Sequence, residues 1–253
     1  MSDRLVDRRD LHFLLFEMFE AERLCDHEYF QDHSSETFNM ALDTAYQLSQ
    51  ELFWPAYQDF DRNPARFDGE KTTVPESMHR IWAAFKEGGW FAAGFPFEQD
   101  GQQFPGIIQL AAMYMFNAAN TAAAMYVGQA IGAAHLVDSF ASEKLKNRFL
   151  PKLIAGDWGG TMALTEPQAG TSLGDITTSA TPVEGEDYYL IRGTKRFISS
   201  GDQDITENII HPTLARIEGA PPGVKGISLF IVPKYRIKED GSSGEATDVL
   251  TAG

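Results

Sequence analysis

One change of period divides this chain of 253 residues. Up to Gly156 apolar residues recur every three or four positions, the spacing of helices; beyond it they alternate or run in short β-branched stretches. A chain patterned this way folds as α+β: a helical bundle over residues 1–157, then an antiparallel β domain over 158–253. Leu11, Leu14, Leu15, Met18 and Phe19 form a first helical stripe. Phe38, Leu42, Ala45, Ser49, Leu52, Phe53 and Ala56 form a second, with Ser34 or Ser35 as its N-cap. A third starts at Pro75 in the first helical position, buries Met78, Ile81, Trp82 and Phe85, and stops at Gly88-Gly89. Asp61 to Thr73 and Phe91 to Pro105 read as loops. Ile107 to Phe116 and the Ala- and Gly-rich Ala122 to Leu136 read as helices, the latter central in the bundle. Ser142 to Leu150 is a last helix, Pro151 restarts a short turn, and Gly156 ends it.

On the β side, strands are expected over Thr177 to Val183, Tyr188 to Arg192, Lys195 to Ser199, Ile209 to Ile217 and Ile227 to Pro233. Glu184 to Asp187 is a hairpin turn. Lys238 to Thr247 is expected to be a mobile polar loop, and Val249 to Ala252 to begin another strand.

Composition narrows the partners. The net charge of −15 disfavours nucleic acid, whose phosphates need Lys and Arg. It leaves open a polyanionic ligand held by backbone dipoles. Cys25, the only cysteine, excludes an internal disulfide and a cysteine metal cluster, and fits a reducing, cytoplasmic setting. His27 and His33 lack a third ligand at useful spacing and read as a solvated loop, and His135 as a core or edge histidine, so no metal is expected. The mixed charges of Met1 to Arg4 do not make a signal peptide. Met113 to Val137 is long and apolar, but Asn117, Asn120, Thr121, Gln129 and His135 interrupt it, so buried helices are expected and no membrane span.

The chemistry concentrates in two segments. The first is Met162-Ala163-Leu164-Thr165-Glu166-Pro167-Gln168-Ala169-Gly170-Thr171. Pro167 pushes Glu166 out of the helical region, and Gly170 permits positive φ, so a strand ends in a sharp turn that offers backbone N–H groups and hydroxyls. The second is Gly193-Thr194-Lys195-Arg196-Phe197-Ile198-Ser199-Ser200-Gly201. Together, in this order and about 30 residues apart, they resemble the strand-end and G-x-K-x-(W/F)-I-(T/S)-x-G segments of the acyl-CoA dehydrogenase family. The continuation Asp202 to Pro233, with Thr206-Glu207-Asn208, Leu214-Ala215-Arg216 and Gly226 to Pro233, is similar to the longer-chained branch, which acts on thioesters such as 3-(methylthio)propionyl-CoA or longer fatty acyl groups.

The resemblance implies FAD as cofactor and an acyl-CoA as substrate. It implies removal of a proton beside the thioester carbonyl, hydride transfer to flavin N5, and electrons passed to an electron-transfer flavoprotein. Residue by residue, it places Leu164 and Thr165 at the flavin N1 edge and Phe197 beside the rings, with Met162 among the cofactor-binding residues. Ser199 falls at N5, and Gly170 and Thr171 near the pyrophosphate and CoA end. The Phe91 to Pro105 loop matches one near the acyl pocket. Thr171-Ser172 departs from the family's usual Ser-Asp, and Phe197-Ile198-Ser199 from Trp-Ile-Thr. Glu166 before a proline has the look of a general base, but in the family that base comes from a last helical bundle. Glu166 is expected to order its own loop, and the base and that bundle to be missing from a truncated chain. Family assembly implies a homodimer or tetramer. Acyl-CoA oxidase and a non-catalytic flavin- or acyl-CoA-binding relative are the competing readings.

Overall fold

A computed structural model describes residues 5–251. The sequence expectation for Met1 to Arg4 lies outside the described residues. The chain divides into two compact units: residues up to Gly128 with Ile154–Gly156, and Gln129–Leu153 with the chain from Asp157 onward.

The first unit is helical. Helix α1, Arg8–His12, is capped by Asp7 and passes into a π-helical turn, Phe13–Met18. That wider turn shifts the side-chain phase, so the expected stripe does not hold. Of its members only Leu15 is buried, joined by Phe16, while Leu14, Met18 and Phe19 are exposed. Helix α2, Ser35–Leu48, starts at Ser34 in a reciprocal capping box with Thr37. A π-helical turn, Ser49–Phe53, joins it to α3, Trp54–Arg62, which carries Pro55 in its first turn. Phe38, Leu42, Ala45, Ser49, Phe53 and Ala56 are buried as the periodicity required.

The segment read as a loop after α3 contains a small hairpin, β1 (Arg66–Phe67) with β2 (Thr72–Thr73). Helix α4, Glu76–Glu87, has Pro75 at its N-cap, one position earlier than expected, and buries Met78, Ile81, Trp82 and Phe85. Its apolar face meets an aromatic cluster. Phe85 lies 5.0 Å from Phe91 and 5.2 Å from Phe116, and Trp82 lies 4.5 Å from Phe91. Burying each such ring contributes about 2–3 kcal/mol. The Trp82 indole N–H donates to the Gly156 carbonyl at 2.8 Å. His33 is not in a solvated loop. Its ring stacks on Phe104 at 4.7 Å, and its Nε2 meets the carbonyls of Gln102 and Gln103 at 3.0 and 3.1 Å.

Helix α5, Gly106–Phe140, is two helices run together. Asn120 has extended backbone (φ −161°, ψ 92°), and its Oδ1 accepts the Ala123 N–H, as an N-cap does. Helix α6, Glu143–Ile154, runs through Pro151 instead of restarting there, and Pro151 is exposed. Among the described residues no helix is long and apolar enough to cross a membrane.

The second unit is built on a five-stranded sheet: β3 (Trp158–Gly160), β4 (Ser179–Pro182), β5 (Tyr189–Arg192), β6 (Asn208–Ile217) and β7 (Ile227–Pro233). The sheet is mixed where an antiparallel one was expected. Strand β6 pairs antiparallel with β7 along one edge. Along the other it pairs parallel with β3 at its start, Asn208 to Ile210, and with β4 at its end, Arg216 and Ile217. Ten residues are long enough to serve both. Strand β5 extends β4 antiparallel. A further hairpin, β8 (Tyr235–Ile237) with β9 (Ser243–Ala246), occupies most of the stretch expected to be a mobile loop.

Two expected strands do not form. Lys195 to Ser199 is irregular because Phe197 and Ser200 take left-handed backbone, φ 59° and 57°. Val249 to Thr251 pairs with nothing in a sheet, and Ala252 lies outside the described residues.

Candidate functional site

The first motif is an excursion from the β6 edge. After β3 the chain stays on that edge: the N–H groups of Thr161 and Ala163 donate to the Ile210 and Pro212 carbonyls, and Leu214 donates back to Ala163. It leaves at Leu164 and returns where Arg216 donates to the Thr178 carbonyl. Residues 164–177 therefore bulge from a fixed frame, held at both ends by one strand.

What shapes the bulge is the Glu166 carboxylate, whose side chain is 1% exposed. Its Oε2 accepts from the Thr177 N–H (2.7 Å), the Thr177 hydroxyl (2.9 Å) and Gln168 Nε2 (2.7 Å). Its Oε1 accepts from the Thr178 N–H (3.1 Å), the Thr178 hydroxyl (2.5 Å) and Lys195 Nζ (2.8 Å). Burial alone would push the carboxyl up. Lys195, the Thr178 hydroxyl and the two backbone N–H groups outweigh it and hold the group well below the usual carboxylate range. An ionised carboxylate held by these donors orders its own loop, as the sequence led one to expect.

The same contacts bring the second motif to the first. Lys195 Nζ also donates to the Leu164 carbonyl at 3.1 Å, and the Arg196 N–H donates to the Thr165 carbonyl at 2.8 Å. Gly193 makes the approach possible: a Cβ there would stand 2.2 Å from the Thr178 hydroxyl oxygen. Gly170 lies against Thr165 but does not take the positive φ expected of it, and a Cβ on it would meet Thr165 Cγ2 at 3.4 Å, an ordinary contact.

Among the expected site residues, Leu164, Thr165 and Gly170 thus form one cluster, and Phe197 follows directly from the residue tied to Thr165. Phe197 is 83% exposed, with the Arg196 guanidinium 5.2 Å from its ring centre. It is not sheet core. A bulky side chain in left-handed backbone costs about 1–2 kcal/mol, a strain that collects at functional positions. Ser199 lies exposed on the turn after Phe197, while the hydroxyl of its neighbour Ser200 is buried without a partner. Met162 is half-buried beside the cluster in sequence, and Thr171 is exposed and accepts the Leu173 N–H at its carbonyl. Among the described residues, Met162, Thr171 and Ser199 make no hydrogen bond to the cluster.

The donor set is the chemically telling part. The carbonyls of Leu164 and Thr165 are taken up by Lys195 and Arg196. Among the described residues, the N–H groups of Leu164 and Thr165 and the Thr165 hydroxyl have no acceptor. Three adjacent donors beside an exposed aromatic ring suit the electron-rich edge of a flat heteroaromatic ligand.

Sequence reasoning missed Lys195, Thr177 and Thr178 as parts of this site. The signal was present, since Lys195 sits inside the second motif, one of two adjacent cations between Gly193 and Phe197. It also missed His211, buried on β6. The His211 Nδ1 meets the Thr161 hydroxyl at 2.9 Å, and its Nε2 is buried without a partner. Burial, and secondarily the Lys234 charge, push its pKa down to about 4, against the opposing pull of Asp202. Asp202 and Lys234 are themselves an ion pair, the carboxylate side 3% exposed. Among the described residues no group of three His, Cys, Asp or Glu is placed to hold a metal.

Comparison with known proteins gives two family matches. Residues 35–157 match the N-terminal domain of acyl-CoA dehydrogenases, and residues 161–248 the middle domain. A butyryl-CoA dehydrogenase of Syntrophomonas wolfei is 33% identical over 98% of this chain and 41% of its own length. A 3-methylmercaptopropionyl-CoA dehydrogenase of Ruegeria pomeroyi is 32% identical over 94% of this chain and 40% of its own. The chain thus spans about two-fifths of the length of these relatives. A crystal structure of an acyl-CoA dehydrogenase complexed with FAD, from Bacillus anthracis, shares the fold with a TM-score of 0.65. It is 24% identical, covering 81% of this chain and 32% of the other.

Proposed function

The chain belongs to the acyl-CoA dehydrogenase family, and from that premise we propose that its second unit forms one wall of an FAD site in an enzyme that oxidises an acyl-CoA thioester. The observation that carries this is the pairing of the two motifs. Lys195 and Arg196 occupy the Leu164 and Thr165 carbonyls and leave the Leu164 and Thr165 N–H groups and the Thr165 hydroxyl as donors beside Phe197. FAD, when bound, supplies the hydride acceptor for conversion of the thioester to its α,β-unsaturated form.

This chain's own residues bind and orient. Leu164 and Thr165 direct donors to the cofactor's electron-rich edge, where negative charge is stabilised. Phe197 offers an exposed aromatic surface against the rings, and Met162 and Ser199 flank them. Gly170 and Thr171 leave room beside Thr165 for the cofactor and substrate phosphates. Glu166 is committed to Lys195 and the two threonines, and in this reading the proton-abstracting carboxylate comes from another part of the full-length protein, as the family resemblance implies. The helical domain, 1–157, and the β domain, 158–253, are the functional division. An electron-transfer flavoprotein is the electron acceptor, the full-length protein is a homodimer or tetramer, and it works in the cytoplasm.

The experiment is anaerobic titration of the purified full-length protein with butyryl-CoA. Stoichiometric flavin bleached by substrate, and reoxidised faster by an electron-transfer flavoprotein than by air, is the expected result. Rapid reoxidation by O₂ would move the reading to an oxidase. Flavin that substrate never bleaches would move it to a non-catalytic relative, and absence of flavin would overturn it.

A further inference from the structure

Two peptide groups cross the tip of the first motif, and they differ in what they have left to give. In the Thr165–Glu166 peptide both ends are used: the carbonyl accepts the Arg196 N–H and the Glu166 N–H donates to Ala169 at 2.7 Å. In the Leu164–Thr165 peptide only the carbonyl is used, and its partner is a cation, Lys195 Nζ at 3.1 Å. The Lys195 side chain is 11% exposed, so its charge acts through protein and not through water. A cation on the oxygen of an amide draws electron density through the plane and strengthens the N–H on the other side as a donor. That N–H belongs to Thr165 and has no acceptor among the described residues.

We propose that Lys195 is a positioning residue that polarises the Leu164–Thr165 peptide and so raises the affinity of the Thr165 N–H for the reduced, negatively charged form of the ring system bound there. Glu166 has the companion task. It anchors the ammonium at 2.8 Å while taking its remaining hydrogen bonds from Gln168, Thr177 and Thr178, so the cation stays against the Leu164 carbonyl. The inference rests on the flavin reading and adds the source of the site's bias toward the reduced state.

The test separates polarising from mere stapling, using full-length flavin-loaded protein and its two-electron midpoint potential by spectroelectrochemistry. Lys195→Met removes the cation but strands a buried carboxylate, so it is paired with the double variant Lys195→Met/Glu166→Gln, which removes both charges. The expected result is a more negative potential in both, by about tenfold in the reduction equilibrium, or about 30 mV for two electrons. Thermal stability is expected to recover in the double variant while the potential does not. Lys195→Arg, which keeps a cation, is expected to shift the potential less than Lys195→Met. A double variant that folds, holds flavin and keeps the wild-type potential would overturn the inference and leave the flavin reading standing. Wild-type protein that holds no flavin would overturn both.

Discussion

Glu166 and His211 both lie buried in the sheet-bearing unit, one on the bulge between β3 and β4 and the other on β6, and they meet burial in opposite ways. Glu166 keeps its charge because six donors surround it. Among the described residues the His211 ring has one partner, the Thr161 hydroxyl, and it stays neutral because burial, and after it the Lys234 charge, disfavour the cation. A saturated polar centre fixes position: it cannot rotate or change protonation without losing several bonds at once. A half-satisfied one is a liability that acid exposes. The site's geometry depends on the first, and the acid stability of the sheet beneath it on the second.

The largest expected effect comes from breaking the saturated centre. Glu166→Ala strands Lys195 and leaves the donors of Thr177 and Thr178 unmet, and loss of one partner of a buried pair costs about 3–5 kcal/mol. Urea denaturation measures it; a loss below about 1 kcal/mol would mean that the pair is not buried in solution.

Next comes the acid response of His211. Its folded pKa of about 4 lies below its ordinary value of 6.5, so the unfolded chain binds the proton more readily. Stability is therefore expected to fall by about 3 kcal/mol as pH drops from 6.5 toward 4, and then to level off with respect to this group. Glu166 contributes in a different window. Its folded pKa is depressed, so its stabilisation is complete above the ordinary carboxylate value of 4.5 and is lost as pH falls below it. His211→Leu is expected to flatten the upper window and leave the lower one. Were the slope between pH 6.5 and 4 to survive that substitution, another group would own it.

Thr161→Val takes away the single partner of His211 and is expected to cost about 1–3 kcal/mol, read from the same urea midpoints. The comparison is sharpened if the cost grows as pH falls toward 4, since a charged ring must donate from Nδ1 and, among the described residues, the Thr161 hydroxyl is the one group paired with it.

The smallest effect has the opposite sign. Phe197→Gly relieves left-handed strain at a side chain that is almost fully exposed, and is expected to stabilise the ligand-free chain by up to about 1 kcal/mol. In full-length protein the same change is expected to weaken FAD binding, since base–aromatic contact is lost. A gain in stability together with a loss of flavin affinity marks a residue held for binding; a loss of both would make Phe197 structural.

Much of the fold could be read from local pattern. Met78, Ile81, Trp82 and Phe85 are buried because an uninterrupted α-helix carries its period faithfully, and Ser34 caps α2 because its hydroxyl finds Thr37 three residues on. Where the backbone left that period the reading failed. The π turn at Phe13–Met18 rotated the stripe, and the αL residues Phe197 and Ser200 removed a strand whose side chains alternate as a strand's do. At the site, the motif letters marked Leu164, Thr165, Gly170 and Phe197. They did not mark Thr177 and Thr178, whose role depends on a carboxylate eleven and twelve residues earlier.

What the linear chain decided by itself is the order of its materials: helix formers first, β formers after Gly156, and two polar turns set among the latter. These follow from interactions between neighbours a few residues apart, which any segment carries with it. Which carbonyls are consumed and which N–H groups remain was decided by folding alone. It depends on Lys195 crossing to Leu164 and Glu166, on Gly193 leaving space beside Thr178, and on β6 being long enough to seat β3 and β4 on one edge. Such pairings join residues about 15 to 50 apart in sequence, and no local preference encodes their geometry.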